Sequence, residues 1–372
     1  MISQKGLIGL VAVTTVVIVG AFIATQNQQR VAPRDQAIGS LFVPALAARI
    51  NDVAQIKITT GDQTIPLERK TAGWVLTDKS DYPADLAKIR QLLIGLSQLT
   101  VVETKTNNPD NYEKLGTKDP AAGVTSSLVE VLASSGDSLT SVIVGNQAPA
   151  RTGAGRNEYY MRKKGEAQNF LVEGNVVLGK STADWIDKQL TNIDNKRIAE
   201  VAVAHNDGTR ITVKKDKPDQ TDFIAVEPKN HAGTKSQFAL NNVGTTLAHL
   251  TIQDVAKAES MDLSKPDMDV TLKTFDGLVL TAQISKKDNK TYTKLQASFD
   301  ASLSPPPADS SVPKEDGKQT DAATDPAAVQ KEVADLTTRL SPWVFEIPSY
   351  QAENIGKRPV DLFEAAATPN KK

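Results

Sequence analysis

VAQIKITTGDQTIPLERKTAGWVLT, residues 53–77, is the stretch on which the fold turns. Apolar side chains alternate with polar ones at Ile56 and Ile58, and again at Ile65 and Leu67, on either side of a turn at Gly61 and Asp62. Trp74 and Leu76 close a third run. A period of two places every second side chain on one face, so three such runs joined by short turns predict an antiparallel β-meander with one face buried. The period then changes. Tyr82, Leu86, Ile89, Leu92, Leu93, Leu96 and Leu99 recur at steps of three and four, with Pro83 near the first turn and Asp85 in it, which predicts an amphipathic helix lying on the sheet. Strands follow at about 128–132 and 139–144, and 158–161 faces 169–172 as a hairpin.

The same order of signals returns downstream. Ile198-Ala-Glu-Val-Ala-Val matches Val53-Ala-Gln-Ile-Lys-Ile, Ile211 and Val213 match Ile65 and Leu67, and Phe223 takes the place of Trp74. Leu240, Val243, Leu247 and Leu250 match Ile89, Leu92, Leu96 and Leu99; Pro266 with Val270-Thr271 matches Pro120 with Val124-Thr125, and Trp343 matches Trp185. A duplicated α+β unit is therefore expected, each copy an antiparallel sheet with a packed amphipathic helix, over residues 41–195 and 196–363. Because an aromatic recurs as a different aromatic, Trp74 is expected to be a core anchor facing the stripe of Ile89, Leu92 and Leu96.

Ahead of these copies, LIGLVAVTTVVIVGAFIA at residues 7–24 runs for eighteen residues without a charge. As a helix it reaches roughly 27 Å, about one hydrocarbon thickness, so it is expected to span a bilayer as an uncleaved signal anchor. Residues 1–6 would form a cytoplasmic tail and 25–40 a polar linker. Lys5 on one side and Arg30 with Arg34 on the other nearly cancel as orientation signals; a short tail before a long domain is expected to stay inside while the domain is exported. Within the second copy, SLSPPPADSSVPKEDGKQTDAATDPA, about 302–327, is almost empty of large apolar residues and is expected to be a disordered insertion. Val329, Val333, Leu336 and Leu340 then predict a helix stopped by Pro342, and 364–372 a flexible tail.

A charge of −1, from 43 basic and 44 acidic residues, offers no broad positive field for DNA or RNA. With no cysteine, disulfides, thiolate metal sites and cysteine nucleophiles are excluded.

Trp74-Val-Leu, Tyr82-Pro-Ala-Asp85, Asn108-Pro-Asp-Asn-Tyr112, Leu115-Gly116, Asp119-Pro-Ala121, Tyr159-Tyr160 and Ala183-Asp-Trp185 together resemble the bacterial family labelled domain of unknown function 4340, well over 50–195 and more weakly over 196–363. The resemblance implies a single-span protein with exported β-rich repeats, in some members encoded beside gliding-motility-type ABC transporter components. It implies no catalytic residues. The second copy departs from the pattern in lacking the Tyr-Pro-Ala-Asp stretch.

Several motifs invite a sharper chemistry. Gly174-Asn-Val-Val-Leu-Gly-Lys180-Ser181 matches a phosphate loop literally, but three large aliphatic residues resist the curl that aims successive amides at phosphate, and a buried helical turn leading to Trp185 is expected instead. His205, His231 and His249 stand far apart and lack metal-ligand spacing. Asp81 with Asp85, and Asp184 with Asp187, could be glycosidase-like pairs, yet placement at helix starts explains them with less. Gly153-Ala-Gly155-Arg reads as a hairpin connection, and Asn289-Lys-Thr291 as an inert sequon. These readings lead to an expectation of no catalytic, cofactor or metal residue and no nucleotide. The chain is expected to be a non-enzymatic envelope protein whose partners are the bilayer, through 7–24, and another envelope or transporter protein. An enzyme acting on cell-wall or surface polysaccharide and a small-ligand sensor between the copies are the competing readings.

Overall fold

Alternation in residues 53–77 becomes ladder register in the computed structural model, which describes residues 38–149, 156–303 and 325–365. The apolar run 7–24, the linker up to residue 37, Gly153–Gly155, most of the proline-rich insertion and the tail from 366 lie outside these residues. Among the described residues no helix is long and apolar enough to cross a membrane. The chain divides into two compact units: one runs to Asp78 and resumes from Pro83 to Trp185, and the other takes Lys79–Tyr82 and everything from Ile186.

The strands of the first large sheet, in chain order, are β1 (Val53–Thr60), β2 (Gln63–Lys70), β3 (Gly73–Leu76), β4 (Tyr82–Pro83), β5 (Thr100–Thr104), β6 (Ser127–Ala133), β7 (Ser138–Gln147), β8 (Glu158–Lys163) and β9 (Asn169–Glu173). Ile56 pairs with Leu67 and Ile58 with Ile65 across β1–β2, while Val131 and Val129 face the same two isoleucines from β6. All six are buried, so cross-strand apolar pairs fix the register against a one-residue slip that would turn every one of them outward. The sheet order is β4-β3-β2-β1-β6-β7-β8-β9-β5. Its helices are α1 (Pro44–Ala48), α2 (Leu86–Ser97) and α3 (Tyr112–Leu115). The Asp85 carboxylate accepts from the Ala87 and Lys88 N–H groups, satisfying two of the donors that a helix start leaves open, and α2 buries Ile89, Leu92, Leu93 and Leu96. The predicted first turn at Tyr82 and Pro83 is instead the short strand β4.

The second unit carries β10 (Ile198–His205), β11 (Arg210–Lys214), β12 (Ile224–Glu227), β13 (Gly233–Thr234), β14 (Asp254–Lys257), β15 (Met268–Thr274), β16 (Leu278–Lys287), β17 (Lys290–Phe299), β18 (Trp343–Ile347) and β19 (Phe363–Glu364). Its helices are α4 (Gln237–Thr245), α5 (Pro326–Leu340), α6 (Ser349–Ile355) and α7 (Pro359–Leu362). The large sheet reads β12-β11-β10-β15-β16-β17-β18-β14, the order β3-β2-β1-β6-β7-β8-β9-β5 position by position. Every assigned ladder in both large sheets is antiparallel, which makes the molecule a mixed α/β structure dominated by antiparallel sheet. Irregularities recur as well: the β1–β6 ladder slips between Val53 and Gln55, and the β10–β15 ladder between Ile198 and Glu200. Both units also bridge a preceding segment to the residue after the helix, Leu41 to Thr100 and Gln189 to Thr251.

Pairing corrects two of the correspondences inferred from spacing. Val270 pairs with Val203 as Val129 pairs with Ile58, so Val270 answers to Val129 and not to Val124. Trp343 opens β18, the counterpart of β9, whereas Trp185 lies beyond β9 in irregular chain; the two tryptophans are not equivalent. Loops of unequal length shift sequence spacing, whereas a ladder cannot shift without breaking its hydrogen bonds. The helix stopped by Pro342 is α5, placed between β17 and β18. Arg197 ties it down, its Nε 2.7 Å from the Asp276 carboxylate and its two terminal nitrogens 3.1 and 2.8 Å from the two oxygens of Glu332 on α5.

Candidate functional site

The phosphate-loop match folds as irregular chain, not as the expected turn of helix. Its Lys180 and Ser181 N–H groups both donate to the Asp184 carboxylate at 3.0 Å, as does the Ser181 hydroxyl. The amides that would have to turn toward phosphate thus serve the chain's own carboxylate. Asp85 caps α2, and Asp187 accepts the Gln189 N–H at 3.3 Å. His205 is buried with Nε2 3.1 Å from the Lys357 carbonyl, His231 stacks on Phe363 with centroids 4.5 Å apart, and His249 is exposed. Among the described residues no three metal-ligating side chains form a group. Asn289 sits with Asp288 at positive φ in the β16–β17 turn.

The Asn108–Ala121 motif residues converge on a side chain that sequence reasoning passed over, the buried Arg162 of β8. Its Nε and one terminal nitrogen donate to the Thr117 carbonyl at 3.1 and 3.0 Å, and the other terminal nitrogen to the Glu166 carbonyl at 3.1 Å. It also reaches Asp119 at 3.1 Å and lies 4.6 Å over the ring of Tyr112, whose hydroxyl donates to the Ala167 carbonyl. Gly116 ends α3 at φ +67, and a Cβ there would fall 2.5 Å from the Asn146 amide oxygen. Most of what this arginine grips is the chain's own carbonyls, so the cluster holds loops to the sheet and presents no open face.

An open face exists elsewhere in the first unit. Trp74, expected in the core, is only half-buried: it borders a groove of about 690 Å³ between β3, the β2–β3 turn and α2. Val53, Ile89 and Leu93 are its apolar floor, and Leu86 and Ile94, 43% and 49% exposed, continue that surface along the helix. Arg69, Lys70 and Arg90 stand around it, and no lining residue is acidic. Arg69 donates to the Asn51 carbonyl at 3.2 Å; Arg90 makes no hydrogen bond or ion pair among the described residues. Aliphatic floor, indole and the exposed guanidinium of Arg90 are elements that hold a partly apolar anion.

The counterpart in the second unit is narrower. Arg69 pairs with Trp74, and by the same ladders Phe223 takes the position of Trp74 and Lys215 that of Arg69. Aligning the helix caps Asp85 and Ser236 sets Arg90 against Asn241, Leu93 against Gly244 and Ile94 against Thr245. Phe223 is 2% exposed, and its ring lies so close to α4 that a Cβ on Gly244 would come within 2.5 Å of it. Asn241 completes the closure: its amide oxygen accepts the Phe223 N–H at 2.9 Å, and its nitrogen donates to Asp222 at 2.8 Å. Lys215 lies buried beneath, 4.7 Å from the Phe223 ring centroid, donating to the Asn195 carbonyl, and burial pushes its pKa down from the ordinary 10.5. A smaller hollow of about 430 Å³ remains there, bordered by Phe223 with Asp222, His231 and Gln237.

Sequence reasoning missed the groove, although a signal was present. Leu86 and Ile94 widen the apolar stripe of α2 beyond what burial needs, while the matching Gln237 and Thr245 are polar. No curated protein and no solved structure matches this chain. The family model described as a domain of unknown function, DUF4340, matches residues 74–269, just over half of the chain, from the groove tryptophan through Arg162 and the buried Phe223 to β15. The chain belongs to the DUF4340 family.

Proposed function

We propose that this protein is a single-pass envelope protein that works by binding. Residues 7–24 anchor it in the cytoplasmic membrane with the amino terminus inside, and the two units lie in the periplasm or outside. In this reading it is a non-enzymatic accessory subunit of an envelope complex, such as an ABC-type transporter or a gliding-motility-like assembly. The groove beside Trp74 carries the proposal, because one of two copies of the same joint keeps the wider groove, with an aliphatic floor and Arg90 at its edge, while in the other Phe223 closes against the helix. The eighteen-residue apolar run supplies the length of an anchor.

Affinity purification of the full chain from detergent-solubilised membranes tests the partner. A membrane protein should be recovered in stoichiometric amount, and Arg90→Glu should reduce its recovery. Protease added to spheroplasts should digest both units. Recovery of background proteins alone, or protection of the units while a periplasmic control is cut, would sink the proposal.

A further inference from the structure

We infer that the groove beside Trp74 takes an anionic amphiphile, an aliphatic or acyl chain ending in a phosphate or carboxylate. This rests on the binding reading above and names the class of ligand. Two features of the groove select the aliphatic part. Leu86, Ile89, Leu93 and Ile94 run along one side of α2 for roughly 12 Å at 1.5 Å per residue, an elongated apolar strip. The indole of Trp74 forms the facing wall, a flat and rigid surface suited to a methylene chain.

The charges select the head. Arg90 borders the strip, and no lining residue carries a carboxylate, so an anion entering there meets the positive charge of its guanidinium. Arg90 is exposed and makes no hydrogen bond or ion pair among the described residues, leaving its guanidinium available for a forked bond to phosphate or carboxylate.

The backbone argues against an extended peptide as occupant. A peptide bound along a strand draws its affinity from main-chain hydrogen bonds. Here the Trp74 carbonyl already accepts the Ala84 N–H at 2.9 Å, and β3 pairs with β2 up to Lys70 opposite Gly73. The groove offers an occupant side chains in place of a strand edge. The second unit shows what removing these features does: with Asn241, Gly244 and Thr245 at the places of Arg90, Leu93 and Ile94, both the strip and the cation disappear.

The test uses the full chain in neutral phosphatidylcholine nanodiscs, titrated with octyl phosphate below its micellar range, with empty discs subtracted. Calorimetry should give one saturable site per chain. Tryptophan emission should shift to the blue, since Trp185 and Trp343 are already buried and Trp74 is the ring left to respond. Arg90→Gln should weaken binding about tenfold, as loss of a charge-assisted pair does. Trp74→Phe should abolish the optical signal while heat of binding persists. Octanol should bind at least about tenfold more weakly, and inorganic phosphate should not displace octyl phosphate. Equal binding of octanol, equal binding to Arg90→Gln, or binding seen only when anionic lipid is added to the discs would overturn the inference. If octyl phosphate fails while a photo-crosslinker at Ile94 captures the purified membrane partner, the groove is a protein-docking site and only the ligand class is wrong. If both fail, the binding reading falls with it.

Discussion

Trp74 and Phe223 stand at the same position of the same sheet in two copies, yet one borders an open groove and the other is shut against its helix. The ring is not what separates them. Leu93 occupies the place at which Gly244 lets the Phe223 ring approach α4, and in the first unit Leu93 and Trp74 both border the groove. At the adjoining position, Asn241 stitches strand to helix through the Phe223 N–H and Asp222, whereas Arg90 points a free charge outward. Lys215 is folded beneath Phe223, and Arg69, its counterpart, stays exposed. A few side chains on an unchanged scaffold decide how closely sheet and helix meet at this joint.

The hardest blow to that contrast is to truncate both rings. Phe223→Ala removes a fully buried aromatic from a joint already at contact distance, and should cost about 3–5 kcal/mol of stability in the second unit. Trp74→Ala, at a half-buried ring over an open groove, should cost about 1–2 kcal/mol in the first. Urea unfolding of the two variants, followed separately for each unit by hydrogen exchange, measures both. Equal losses would mean that Trp74 is as much core as Phe223 and that the groove is shut in solution.

How far the sequence carries this account depends on whether a feature is local. Alternation at Ile56, Ile58, Ile65 and Leu67 was legible because a strand's period is written in consecutive residues, and the stripe of α2 was legible for the same reason. The burial of Trp74 was not legible, because it depends on what α2, another element, places opposite it. Arg162 was invisible as a clamp, since its partners at Thr117 and Glu166 are backbone carbonyls, which every residue type carries. The groove was half legible: comparing Leu86 and Ile94 with Gln237 and Thr245 would have marked the first copy as the exposed one.

Gly244→Leu puts into the second copy the side chain that stands at the matching place in the first. Its Cβ alone would press on the Phe223 ring at 2.5 Å, so the substitution should cost about 1–3 kcal/mol as overpacking. Combining it with Phe223→Ala should cost less than the sum of the two, because the clash is gone once the ring is removed. Strict additivity in that double-mutant cycle would show that Gly244 and Phe223 do not determine each other. Asn241→Ala leaves the Phe223 N–H and the Asp222 carboxylate without their partner and should cost about 1–2 kcal/mol in the same assay.

The smallest effect concerns the buried lysine, and its sign follows from burial. Desolvation lowers the pKa of Lys215 from 10.5 in the folded protein, against the opposing pull of Asp194 and Asp222, while the unfolded chain keeps the ordinary value. Between the folded and unfolded values the unfolded state binds more protons, so stability contributed by this group rises with pH in the window below 10.5. At lower pH the lysine is charged in both states and the folded state bears the cost of burying it. At higher pH it is neutral in both and the cost is gone. Wild type should therefore gain stability relative to Lys215→Met as pH climbs through that window, read as a growing difference between their urea midpoints. A flat difference for Lys215→Met would mean that the lysine is as well hydrated in the folded state as in the unfolded one, and that Phe223 does not cover it as the packing implies.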